Sequence, residues 1–239
     1  MKNENLYKTL CEINGAENVL RDEPMKKHTT FRIGGPARCF CLPQKAAQLA
    51  ETVEACEEAG EPWYILGNGS NVLVSDAGYD GVVIQLFHNF EAVRIEGCLM
   101  ELEAGVLLVK AARLAAREGL TGLEFASGIP GTLGGALVMN AGAYGGEMKD
   151  VVREALVMRK DGKLLRLKRE ELELGYRTSV IAREGYVVLS VFWSFERAIR
   201  KKSRPVCRSF GRQGRRSSRW NTPALEVPLR GRKVISLEN

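Results

Sequence analysis

Gly122-Leu-Glu-Phe-Ala-Ser-Gly-Ile-Pro-Gly-Thr-Leu-Gly-Gly-Ala-Leu-Val-Met-Asn-Ala-Gly-Ala-Tyr-Gly-Gly146 is the stretch on which the reading of the fold turns. Eight of its 25 residues are glycine, yet Leu123, Phe125, Ile129, Leu133, Leu137, Val138 and Met139 run between them. A flexible linker would combine glycine with serine and omit the apolar residues. A core helix would not tolerate this much glycine. The mixture describes backbone that is ordered, tightly turned and approached too closely for a Cβ. Pro130 sets φ for a short helix expected over residues 132–139, whose first N–H groups would face an anion. Taken alone, the pattern also fits a glycine-rich turn between packed elements.

Working outward, the strand pattern Tyr64-Ile-Leu66 runs into Gly67-Asn-Gly-Ser-Asn71 and resumes as Val72-Leu-Val74. Successive Gly and Asn residues can turn consecutive N–H groups inward as an anion-binding nest; a hairpin loop of ordinary turn formers reads the same way. Apolar spacing predicts helices over 2–13, 45–59 and 107–118, and strands over 37–42, 82–86, 92–96 and 99–104. Beyond the glycine-rich stretch, 154–159 and 163–167 flank Asp161-Gly162 as a hairpin. Residues 170–180 read as a short helix running into a loop, and 186–195 as the last strand. Strands and helices are thus interspersed along the chain.

The 239 residues suffice for one large domain or two small ones. No run of 18 apolar residues marks a membrane span, and the polar Met1-Lys-Asn-Glu-Asn-Leu start lacks a secretory h-region. A cytoplasmic protein is expected. Cysteines 11, 39, 41, 56, 98 and 207 show no CxxC spacing and read as reduced thiols without a metal. Charge is divided sharply along the chain. Residues 1–196 carry 22 Lys and Arg against 27 Asp and Glu, or −5, whereas 197–239 carry 13 against 2, or +11. Such a tail ordinarily suggests nucleic acid or a membrane surface, but only Phe210 and Trp220 interrupt it with aromatic rings for base stacking.

Thr30-Phe-Arg-Ile-Gly-Gly, the 67–71 loop, Ala126-Ser-Gly-Ile-Pro-Gly-Thr-Leu-Gly-Gly-Ala, Asn140-Ala-Gly-Ala-Tyr-Gly and Gly175-Tyr-Arg-Thr-Ser together resemble the UDP-N-acetylenolpyruvoylglucosamine reductase family in order and spacing over residues 15–196. The resemblance implies the two-lobed α+β FAD-binding fold shared with vanillyl-alcohol-oxidase-type flavoproteins, and an NADPH-dependent enzyme of peptidoglycan precursor synthesis acting on a UDP-sugar enolpyruvyl substrate. It implies a 1–30 helical segment, an FAD domain over 31–196 with lobes of about 31–86 and 87–196, and a further substrate domain, largely missing here. Arg177 matches the family's catalytic arginine; without the family it is a surface arginine after a helix. The cofactor set would be Gly67, Asn68, Gly69, Ser70 and Asn71 with Ser127, Gly128, Ile129, Pro130, Gly131, Thr132, Gly134 and Gly135. Arg32 is a further cofactor or substrate candidate, or a salt-bridge partner. Asn140, Gly142, Ala143 and Tyr144 would line the flavin pocket, or else cap and pack a turn. His28 and His88 are read as incidental, and the protein as a monomer without nucleic-acid or membrane partners. A different flavin-dependent oxidoreductase of the same fold, and a nucleic-acid-binding protein acting through the tail, are the competing readings.

The tail departs from the family, which continues into a domain with a proton-donating serine in Ser-Ala-Gly-Ser and a later catalytic glutamate. Neither occurs in residues 197–239. Back-translation of Trp220 through Gly231 permits, in a shifted frame, Glu-Tyr-Pro-Ser-Ala-Gly-Ser-Thr-Phe-Lys-Arg. The tail is therefore expected to be an out-of-frame, disordered remnant of the substrate domain, with the shift near Glu196 and Arg197.

Overall fold

The computed structural model describes residues 4–195 and 233–235. Helix α1 (Glu4–Asn14) leads into strand β1 (Val19–Pro24), which pairs antiparallel with β2 (Pro36–Cys41). After α2 (Ala46–Glu58) come β3 (Trp63–Leu66), β4 (Val72–Val74) and β5 (Tyr79–Gln85). The first sheet has the order β1-β2-β5-β3, with β2, β5 and β3 mutually parallel. Period-two alternation sorts its side chains between two cores. Cys39, Cys41, Val82 and Ile84 face the core that holds Leu10, Leu49 and Val53 of the helices, while Phe40, Val83 and Leu66 pack with Met25, Val72 and Val74.

Residues 1–30 are thus not a separate helical segment. Strand β1 belongs to the first sheet, and α1 is tied to α2 where Asn14 Nδ2 donates to Thr52 Oγ1 at 2.8 Å. Val-Leu-Arg-Asp-Glu-Pro carries too few apolar residues to read as a strand; it is ordered by its ladder to β2 and keeps charged side chains along the sheet edge.

The second lobe is a five-stranded antiparallel sheet in the order β11-β10-β12-β7-β6. Its strands are β6 (Val93–Glu96), β7 (Leu99–Glu103), β10 (Val152–Met158), β11 (Leu164–Lys168) and β12 (Val187–Ser194). Between β7 and β10 the chain forms α3 (Leu108–Glu118), α4 (Leu133–Val138) and a hairpin of β8 (Gly142–Ala143) and β9 (Gly146–Glu147). Helix α3 buries Ala111, Ala112 and Ala115, small residues that let it lie close to its neighbours, and ends at Gly119 in the left-handed region. Residues 170–180 do not form the expected helix. Glu173 sits at φ 45, and α5 (Val180–Glu184) begins only after Ser179, whose Oγ accepts from Ala182 N at 3.2 Å.

The basic tail lies outside the described residues except for β13 (Lys233–Ile235), which pairs in parallel with β4. Cys207 lies outside them too; the other five cysteines are free, and burial pushes the Cys56 thiol up to about 12. Among the described residues no helix is long and apolar enough to cross a membrane.

Helix α4 is seated on the end of β7. Leu133 N donates to Val106 O at 2.8 Å and Gly134 N to Ala104 O at 2.9 Å. A Cβ on Gly134 would come within 2.9 Å of Ala104 Cβ and 3.3 Å of Ala104 O. Gly134→Ala should therefore destabilise the protein by about 1–3 kcal/mol, the usual cost of overpacking, measured as a lower urea midpoint with unchanged slope.

Candidate functional site

A cavity of about 490 Å³ is lined on one side by β3 and residues 67–71 and on the other by residues 129–132, α4, α5 and the start of β12. The two glycine-rich loops touch at its rim. Ser70 Oγ donates to Pro130 O at 3.2 Å, and a Cβ on Gly67 would come within 2.2 Å of Thr132 Oγ1. Residues 28–30 brace the 67–71 loop from behind. Thr30 N donates to Gly69 O at 3.1 Å, and at φ 66 a Cβ on Gly69 would strike His28 O at 1.9 Å, so only glycine fits there. Among the described residues the N–H groups of Asn68, Gly69 and Ser70 have no acceptor. Three successive open donors beside a left-handed glycine make an anion-binding nest.

Helix α4 contributes differently from the sequence expectation. It spans six residues, and the N–H groups of Leu133 and Gly134 are already bonded to Val106 and Ala104. Its part in the site is room rather than charge. A Cβ on Gly135 would meet only Thr132 Oγ1, at 3.7 Å, so no protein atom excludes a side chain there. The cavity itself is what a side chain at 135 would fill.

Arg177 lines the cavity from a tight turn in which Gly175 N donates to Thr178 O at 3.1 Å. It holds φ 56, is exposed, and makes no ion pair among the described residues. The neighbouring Tyr176 ring is 88% exposed, its centroid 6.0 Å from the Arg177 guanidinium carbon. Lys160, from the turn between β10 and β11, also reaches the cavity without an ion pair among the described residues. Sequence reasoning missed Lys160 because a lysine beside Asp-Gly looks like any hairpin turn. It missed the Trp63–Leu66 wall because those residues read as strand core.

Of the expected set, the cavity lining takes in Gly67, Asn68, Gly69, Ser70, Asn71, Ile129, Pro130, Gly131, Thr132, Gly134, Gly135 and Arg177. Arg32 is outside it, exposed at φ 55 in a turn closed by its N–H on Thr29 O. Ser127 and Gly128 end the 3₁₀ turn Glu124–Gly128, where Ser127 Oγ is buried without a partner. The β8–β9 hairpin is not part of the cavity lining, and its Gly146 lies against the Phe125 ring with no room for a Cβ (2.9 Å to Cδ1). Gly142 and Ala143 therefore sit in the hairpin, and Tyr144, at φ 54, near its tip. Asn140 has its carboxamide committed to protein groups. Its Nδ2 donates to Glu147 Oε2 (2.6 Å) and Gly175 O (3.1 Å), and its Oδ1 accepts from Lys149 N (2.9 Å). His28 is held by Glu23 at 3.0 Å and stacks on Phe40, while His88 packs on Phe87.

A cavity of this size with open backbone donors and room at Gly135 suits a dinucleotide whose diphosphate is gripped without a cationic loop. The comparisons agree with that chemistry. Residues 37–168 match the FAD binding domain family. The UDP-N-acetylenolpyruvoylglucosamine reductase of Alkaliphilus metalliredigens is 49% identical over 191 residues, 80% of this chain and 63% of that protein. The crystal structure of the Thermus caldophilus reductase matches with a TM-score of 0.70 and 32% identity over 82% of this chain and 68% of the other. p-Cresol methylhydroxylase, at 13% identity and a TM-score of 0.63, shares the fold over 82% of this chain and 44% of its own. The fold is thus the two-lobed FAD-binding fold of the oxidase type. This chain spans less than two thirds of the Alkaliphilus relative's length. With a reductase fold over most of its residues and an FAD binding domain at its centre, the chain belongs to the UDP-N-acetylenolpyruvoylglucosamine reductase family.

Proposed function

We propose that this protein is an NADPH- and FAD-dependent reductase of UDP-N-acetylglucosamine enolpyruvate, forming UDP-N-acetylmuramate for peptidoglycan, with turnover severely impaired in the chain as written. The observation that carries the reading is the meeting of the 67–71 loop, the 129–132 loop and Arg177 on one cavity. Bound there, FAD supplies the hydride chemistry. The open N–H groups of Asn68, Gly69 and Ser70 hold the diphosphate by dipole rather than formal charge. Gly135 leaves space for the cofactor against α4. Arg177 offers its guanidinium to the substrate carboxylate, where negative charge grows as the enolpyruvyl double bond is reduced.

Protonation is the step for which residues 197–239 hold no counterpart of the family's serine motif. Residues 197–239 contain no Ser-Ala-Gly-Ser run, and Arg177, being always protonated, is not a proton donor. The basic tail on this reading is the product of a frameshift near Glu196 and Arg197, so its charge does not signify a nucleic-acid or membrane partner. The substrate is a soluble UDP-sugar, and the protein works as a cytoplasmic monomer.

Purified protein loaded with FAD should show the visible flavin bands, and Gly135→Ala should lose most of that bound flavin. The same variant should be as stable as the parent without flavin, or more so by up to about 1 kcal/mol, since alanine favours a helix over glycine. Retained flavin in Gly135→Ala would remove α4 from the cofactor site. In steady-state assays, NADPH oxidation with the enolpyruvyl substrate should run ~10²–10⁴-fold below the Thermus caldophilus enzyme, the range typical of a missing general acid; equal rates would refute the loss. Resequencing the coding DNA should show a second reading frame beyond the Glu196 codon that encodes the Ser-Ala-Gly-Ser run, and its absence from that DNA would dismiss the frameshift.

A further inference from the structure

We propose that Asn140 and Ser179 are positioning residues that fasten the turn bearing Arg177 to the C-terminal end of α4, and so place its guanidinium in the cofactor cleft. The proposal rests on the reading of Arg177 as the group that holds the substrate carboxylate. A non-glycine residue at φ 56 is in a conformation that persists only where its surroundings fix it. The fixings are visible. Asn140 Nδ2 donates to Gly175 O at 3.1 Å on one side of Arg177, and Ser179 Oγ donates to Val138 O at 2.8 Å on the other. Between them Gly175 and Thr178 bond to each other, and Val180 N donates to Leu172 O at 2.9 Å. Both latching side chains are buried, Asn140 4% exposed and Ser179 not at all.

The carboxamide orientation follows from its neighbours: two acceptors, Glu147 Oε2 and Gly175 O, face Nδ2, and one donor, Lys149 N, faces Oδ1. With both amide hydrogens and the carbonyl oxygen used, the side chain is committed to holding chain segments together. Val138 is the last residue of α4, the element that makes room for the cofactor at Gly135, and Asn140 follows two residues beyond it. The latch therefore ties the position of Arg177 to the position of the cofactor wall.

The test is a binding cycle on flavin-loaded protein. UDP-N-acetylglucosamine enolpyruvate and UDP-N-acetylglucosamine, which lacks the carboxylate, are titrated and followed through the flavin absorbance. Asn140→Ala should weaken the enolpyruvyl ligand about tenfold, ~1.4 kcal/mol, with the carboxylate-free sugar and the flavin content unchanged. In an Arg177→Ala background it should add nothing further. Equal weakening of both ligands, or full additivity, overturns the positioning role. Amide exchange of the protein without ligand supplies a measurement independent of substrate: Asn140→Ala should speed exchange in peptides spanning 173–180, and unchanged exchange overturns the latch. If Arg177→Ala spares the enolpyruvyl ligand while exchange still quickens, the turn is latched as described and only the reading of Arg177 falls. Should Asn140→Ala fail to fold, Ser179→Ala takes its place with the same expected and contrary results.

Discussion

The contact between the 67–71 loop and the 130–132 segment is the constraint from which the rest of the site follows. Ser70 on Pro130 and Gly67 against Thr132 bring two glycine-rich turns, one from each lobe, to touching distance. Neither turn could do this with ordinary side chains at Gly67, since a Cβ there would overlap the threonine hydroxyl. The contact closes one wall of the cleft and leaves the N–H groups of the 67–71 loop open beside it. Glycine here serves packing between lobes as much as approach of a ligand. The two uses are separable residue by residue: Gly134 is spent on Ala104, and Gly135 on the cavity.

Much of this was legible in the order of residues, and the exceptions have physical causes. The amphipathic helices α1, α2 and α3 and the β10–β11 hairpin follow directly from periodicity and turn chemistry. Strand β1 did not, because its pattern lacks apolar alternation and its order comes from the partner strand. The helix expected within 170–180 failed through Glu173 at φ 45 and the cap at Ser179, a tertiary outcome that acidic residues and spacing do not announce. For the site, motif spacing located both loops and Arg177. It could not show that Asn140 spends its polar atoms on Glu147, Gly175 and Lys149, because those partners are set by the path of the hairpin. Nor could it show that the first N–H groups of α4 are bonded to the chain after β7, since that needs the close approach allowed by Gly134.

Electrostatics divide the cleft into two kinds of grip. The wall from residues 67–71 offers dipoles without formal charge, suited to a diphosphate that must be held while the cleft stays narrow. Arg177 and Lys160 are the formal cations that line it, and neither is neutralised by a carboxylate among the described residues. Several arginines elsewhere on the lobes are paired: Arg21 with Glu4, Arg38 with Asp80, Arg166 with Glu154. A guanidinium without an ion pair among the described residues, in a strained turn that lines the same cavity as open N–H donors, is a different object from those surface pairs. Solvent screens those surface pairs, whereas Arg177 makes no ion pair among the described residues that would explain its conformation on grounds of stability.

That contrast bears on how α4 works. A helix of six residues, two of them glycine, has little intrinsic stability, so it must be held from outside at both ends. At its start the holders are Ala104 and Val106 of the second sheet's margin; at its end they are Ser179, on Val138, and the network around Asn140. The same bonds that keep so short a helix in place are those that orient the turn carrying Arg177. Stability of α4 and placement of the Arg177 turn are therefore linked, and a substitution that frees the Asn140 or Ser179 end of the helix releases the turn that carries Arg177.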